Sequence, residues 1–95
     1  MIDAIYWVYI LKCDNGHYYT GYTADLERRY QEHVTGSAKC KYTRSFKPVS
    51  LEKAWHVDGK SQAMRIESAI KRLSKLEKEK LISHPETIAQ LILSL

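Results

Sequence analysis

No stretch of this chain approaches the roughly 20 consecutive apolar residues that a membrane-spanning helix requires, so a bilayer span is not expected. Cysteine is scarce: Cys13 and Cys40 stand alone, without Cys-x-x-Cys spacing. That argues against a disulfide scaffold and a structural zinc site, and it suits reduced thiols in a cytoplasmic protein. His17, His56 and His84 are scattered at spacings that favour no metal cluster. The N-terminus lacks a basic start, an apolar stretch and a small-residue cleavage site, so no secretory leader is expected. Asparagine occurs once, as Asn15. Internal repeats and low-complexity tracts are absent.

What remains is a chain of 95 residues, enough for one domain with a modest core and a stability on the order of 5–10 kcal/mol. Its net charge of +4 is localised. Lys39, Lys41, Arg44 and Lys47 fall in a stretch without acidic residues and account for the whole excess. Tyr42 and Phe46 are interleaved with them. Cations on phosphates and rings against bases or sugars suit a polyanion; a solvated loop that aids solubility is the plainer reading of the same residues.

Residues 4–11 are apolar and rich in β-branched and aromatic side chains, as in a strand covered on both faces. Asp14, Asn15 and Gly16 signal a turn, and residues 18–23 read as the returning strand. A three-residue loop with Gly16 in the left-handed conformation pairs Tyr9 with Gly21 and Leu11 with Tyr19, which puts Tyr9 and Tyr19 on one face. A two-residue Asn-Gly turn would put them on opposite faces. We expect the first register. Thr23 or Asp25 caps a helix ending near Thr35, where Gly36 stops it. Residues 37–47 then form a basic loop. Val49, Leu51, Trp55 and Val57 alternate in a third strand, with Lys53 as the exception. Ser61 caps a second long helix whose core stripe is Ala63, Ile66, Ile70 and Leu73. A charged helix over residues 75–82 follows, and Pro85 opens a last helix with Ile88, Leu91, Ile92 and Leu95 on one face. The pattern predicts an α+β fold: a three-stranded, mainly antiparallel sheet flanked by helices.

Arg29 and His33 are four apart on the first helix and share a face, with Asp25 one turn earlier. An arginine fork is permanently charged and can bond two phosphate oxygens. Glu67 lies one step off the apolar stripe of the second long helix, at the edge of the core, where it could pair with Lys71 or present a hard oxygen to a divalent metal.

Taken in order, these signals resemble the GIY-YIG nuclease family, and specifically its small single-domain bacterial members. Trp7-Val8-Tyr9 stands for the first tripeptide and Tyr19-Thr20-Gly21 for the second. The spacing from Gly21 to Arg29 and His33 agrees with the family pattern, as do Tyr42-Thr43-Arg44 before Pro48 and the glutamate in Met64-Arg65-Ile66-Glu67-Ser68-Ala69-Ile70-Lys71. The resemblance covers about residues 6–80. It implies a nuclease-like domain over residues 1–82, with residues 83–95 as a helical extension packed on it.

The resemblance further implies a phosphodiester hydrolase using one Mg²⁺ or Mn²⁺, acting on nucleic acid, most plausibly DNA, in repair, recombination or processing. Carried over by position, Glu67 would hold the metal and Arg29 would stabilise charge on the phosphate. Tyr9, with His33, would help deprotonate the attacking water, and Tyr19 would orient it. Arg28, Lys39, Lys41, Tyr42, Thr43, Arg44, Lys47 and Lys71 would contact nucleic acid. Trp7 and Val8 replace the glycine and isoleucine of the first tripeptide, while the tyrosine is kept. The asparagine that larger members carry late in the domain has no counterpart here. The chain shows no separate DNA-binding domain, so sequence specificity would come from a protein partner or from DNA shape. A monomer is expected. The alternative is a nucleic-acid-binding module with the same fold and little or no turnover; a scaffold that dimerises through its C-terminal apolar stripe is a third reading.

Overall fold

A computed structural model describes residues 5–37 and 40–95. The hairpin forms as its turn chemistry dictates. β1 (Ile5–Cys13) and β2 (Tyr18–Thr23) are joined through a loop in which the Gly16 amide donates to the Cys13 carbonyl at 2.9 Å. Gly16 has φ of 82°, a conformation glycine adopts without the steric cost of a Cβ. The resulting register pairs Tyr9 with Gly21 and Leu11 with Tyr19, as expected, so both tyrosines share a face.

β3 (Pro48–Asp58) adds antiparallel to the other side of β1, giving the sheet order β2-β1-β3. Its register is not the simple alternation that the sequence suggests. Ile10 pairs with Lys53 but Leu11 pairs with Leu51, so Glu52 is the extra residue of a bulge. The bulge moves Leu51 to the face opposite Trp55 and Val57. Lys53, the exception in the pattern, marks where the alternation changes phase.

One sheet face carries the core. Val8, Ile10 and Val57 pack with Ala63, Ile66 and Ile70 of α3 (Lys60–Lys71) and Leu81 of α4 (Lys75–Ser83). Gly59, with φ of 84°, precedes α3. The helix therefore begins directly after the Asp58-Gly59 turn, and Ser61 lies inside it rather than capping it. Ser74 caps α4 and Glu77 returns the bond, a capping box. After a 3₁₀ turn at Pro85–Thr87, α5 (Ile88–Leu93) lays Ile88, Leu91 and Ile92 against the same core. Leu95 stays 38 % exposed. Among the described residues no helix is long and apolar enough to cross a membrane.

The opposite face is covered by α1 (Leu26–Thr35) and α2 (Lys41–Ser45). Asp25 caps α1 by accepting from the Arg28 amide, and Gly36 ends it at φ 75°. The expected basic loop contains α2, a helix of five residues. Between these helices and the sheet lies a layer of aromatic and polar groups.

Candidate active site

Three structural decisions bring the site together. The hairpin register aims Tyr9 and Tyr19 at α1, with ring centroids 6.5 Å apart. The Asp25 cap sets the start of α1, so that Arg29 and His33 face those rings. α3 lies on the other face of the sheet and contributes Glu67 around the free edge of β2. The result is a cavity of about 430 Å³ lined by Tyr6, Tyr9, Tyr19, Gly21, Tyr22, Thr23, Ala24, Arg28, Arg29, Glu32, Lys60 and Glu67. Tyr6 and Tyr22 alternate toward α3 while Tyr9 and Tyr19 face α1, so the cavity wraps the edge strand. The four stretches bearing Tyr9, Tyr19, Arg29 and Glu67 thus line one open hollow. A larger hollow of about 660 Å³ lies between α3 and α5 and contains none of these groups.

His33 does not line the cavity; it is fully buried behind Tyr9. The Tyr9 hydroxyl lies 2.8 Å from His33 Nε2, and His33 Nδ1 lies 2.7 Å from the Thr43 hydroxyl, itself 3.4 Å from the Cys40 carbonyl. Burial, reinforced by the nearby Arg29 charge, pushes the His33 imidazole down to about 4, so it is neutral at pH 7. Burial also raises the Tyr9 phenol above its ordinary value, against the lowering effect of the neighbouring Arg29 guanidinium. Burial pulls the Arg29 guanidinium down, but hydrogen bonding with Tyr9 and Glu32 outweighs it, and the group stays charged. Arg29 is held on its other side by Glu32 at 3.1 Å.

Gly21 is the seat of the Tyr9 ring. A Cβ at Gly21 would lie 2.5 Å from the Tyr9 hydroxyl oxygen and 2.7 Å from Cζ, inside van der Waals contact. Tyr19 stacks on Tyr42 of α2 at 5.7 Å, and Tyr42 touches Phe46 at 5.3 Å. Asn15 in the hairpin turn donates to the Tyr42 hydroxyl at 3.2 Å, which ties the turn to this ladder.

Glu67 pairs with Lys71 at 3.2 Å; the lysine side chain is 52 % exposed and the glutamate 17 %. The lysine end of this pair is screened by solvent, so the pair leaves the carboxylate open to competition from a stronger partner. Of the residues expected to touch nucleic acid, Arg28 lines the cavity, Lys47 is exposed and Tyr42 is half-buried. Lys39 lies outside the described residues, as do the side chains of Lys41 and Arg44. Thr43 requires correction: it is fully buried with its hydroxyl on His33, so it cannot face a nucleic acid. The resemblance implies an outward role for it, but α2 turns this side chain inward. Glu32 and Lys60 were missed. Glu32, three residues after Arg29, carried a usable i,i+3 signal; Lys60 carried none, because its position depends on how α3 wraps the sheet edge.

The GIY-YIG catalytic domain model matches residues 5–80 of this chain. A UPF0213 protein of Halobacterium salinarum is 50 % identical over 74 residues, covering 78 % of this chain and 95 % of that protein. A UPF0213 protein of Halalkalibacterium halodurans is 45 % identical over 78 residues, covering 82 % of each. The solution NMR structure of a UPF0213 protein from Bacillus halodurans superimposes with a TM-score of 0.54 at 44 % identity and covers 83 % of each chain. A match over residues 5–80 and relatives of this identity show that the chain belongs to the GIY-YIG domain family.

Proposed function

We propose that this protein is a divalent-metal-dependent phosphodiester hydrolase of low sequence specificity acting on DNA, in repair, recombination or processing. The observation that carries this reading is the convergence of Tyr9, Tyr19, Arg29 and Glu67 on one open cavity.

The residues fit a hydrated Mg²⁺ or Mn²⁺. Glu67 supplies a hard oxygen, paired with the half-exposed Lys71, and the cavity leaves room for waters and a phosphate. Glu32, the other cavity carboxylate, is occupied by Arg29. A bound metal would polarise the scissile phosphate and stabilise the leaving oxygen. The protein's own groups do the rest. Arg29, permanently charged and fixed by Glu32, offers its fork to a non-bridging phosphate oxygen as charge builds there. An attacking water gives a proton to the Tyr9 oxygen while the Tyr9 proton passes to His33 Nε2. The water oxygen bonds to phosphorus, the bond to the leaving oxygen breaks, and that oxygen takes a proton from solvent. Tyr19 borders the same space and orients the water or a phosphate oxygen. His33 is a weak acceptor alone, because burial and Arg29 both disfavour its cation. An incoming phosphate anion offsets the Arg29 contribution, so proton transfer is easiest when substrate is present. Arg28 in the cavity wall and the exposed Lys47, together with the other cations that the sequence carries over residues 39–47, would hold the polyanion.

Binding without turnover is the second reading, and the Glu67–Lys71 pair favours it, since that ion pair competes with a metal. A nicking assay on supercoiled plasmid with and without Mg²⁺ or Mn²⁺ separates the two. The hydrolase reading expects metal-dependent nicking that is lost in Glu67→Ala; metal-independent or absent nicking alongside retained DNA affinity supports the binding module.

A further inference from the structure

The proton path behind Tyr9 has a direction, and a residue outside the cavity sets it. His33 sits between two hydroxyls, Tyr9 on Nε2 at 2.8 Å and Thr43 on Nδ1 at 2.7 Å. A neutral imidazole donates from one nitrogen and accepts at the other, so its two neighbours must take opposite roles. Nothing in the ring decides which. Thr43 does, because its hydroxyl has a second neighbour, the Cys40 carbonyl at 3.4 Å, which can only accept. With the Thr43 proton directed to that carbonyl, the threonine oxygen is left to accept, and Nδ1 must carry the imidazole proton. Nε2 then holds a lone pair and receives the Tyr9 hydroxyl. The opposite allocation leaves the Cys40 carbonyl without this bond and sends a proton from Nε2 onto the Tyr9 oxygen, the atom that has to accept one from water. Both Thr43 and His33 are fully buried, so solvent cannot substitute for either partner. The branched Cβ of threonine also restricts χ1 and holds the hydroxyl on the ring.

We propose that Thr43 is a positioning residue: by accepting the Nδ1–H of His33 it holds the imidazole in the tautomer that keeps Nε2 free to take the Tyr9 proton. The tautomer stands on geometry alone; its consequence for turnover rests on the hydrolase reading above.

The test is ¹⁵N NMR of the histidine ring nitrogens in the full chain, with the His33 signals identified by their loss in His33→Gln. The wild type is expected to show a protonated Nδ1 and a bare Nε2 at neutral pH. Thr43→Ser keeps that pattern. Thr43→Val preserves the shape, removes the acceptor, and is expected to shift His33 to the Nε2–H form. In plasmid nicking, Thr43→Val should lower kcat by at least about 10-fold with KM unchanged, and Thr43→Ser should restore it. A wild-type His33 protonated on Nε2 overturns the proposal, and this reading needs no variant to fold. So does a folded Thr43→Val that retains the Nδ1–H tautomer, or one that changes tautomer without changing kcat. If the wild type nicks no DNA, the hydrolase reading fails while the NMR result still decides the tautomer.

Discussion

Gly21 and Tyr9 occupy one space, and each limits the other. A methyl group at Gly21 would sit 2.5 Å from the phenol oxygen, so Gly21→Ala must displace the ring that lines the cavity. We expect a stability loss of about 1–3 kcal/mol from overpacking and a fall in nicking rate of about 100-fold, because a misplaced reacting group costs that much. Thermal unfolding and a plasmid assay check both. His33 gives a pH signature. Its folded value lies near 4 against an ordinary 6.5, so the unfolded chain takes up the proton first. Its contribution is intact above about pH 6.5, is lost progressively as pH falls toward 4, and levels off below; the total is on the order of 3 kcal/mol. Denaturant unfolding from pH 7 to pH 4 should show that slope in the wild type and a flatter one in His33→Gln. At this scale the sequence was legible where a side chain's direction follows from strand or helix period. Tyr9, Tyr19 and Arg29 come out that way. Thr43 does not, because its direction is set by a five-residue helix whose period five residues cannot reveal.

The elements follow their capping and turn chemistry closely. α1 starts at Asp25 and stops at a left-handed Gly36, both visible in the sequence. Because this helix carries Arg29 and His33, its start positions the chemistry. Asp25→Ala removes the acceptor of the Arg28 amide and should cost about 1 kcal/mol, read as a lower denaturant midpoint at unchanged slope. The hairpin register was legible as one of two that the Asp14-Asn15-Gly16 turn allows, and the three-residue loop with a left-handed Gly16 is the one that forms. The bulge at Glu52 was not, since an extra strand residue leaves only a break in alternation at Lys53, which a surface lysine explains equally well. α2 escaped for a different reason. It is too short to form on local propensity, and packing on α1 and the sheet face stabilises it instead.

At the scale of the molecule, the net charge of +4 is concentrated in the segment that borders the site. DNA affinity should therefore fall steeply with salt. Reversing Lys39, Lys41, Arg44 and Lys47 should weaken binding and flatten the plot of log affinity against log salt, by about one unit of slope for each phosphate contact removed. An unchanged slope would show that DNA binds elsewhere. The overall architecture was legible because strand and helix periods differ so clearly along the chain. The meeting of Glu67 with the tyrosines was not derivable from periodicity. It depends on α3 and α1 lying on opposite faces and reaching around the edge of β2, and only the likeness to a known family anticipated it. The most direct measurement is Mg²⁺-dependent nicking of supercoiled plasmid by wild type, Glu67→Gln and Arg29→Ala, purified in parallel. Metal-dependent nicking by the wild type, reduced by at least about 100-fold in both variants, is the expected result; equal nicking by all three would show that this cavity does not cleave DNA.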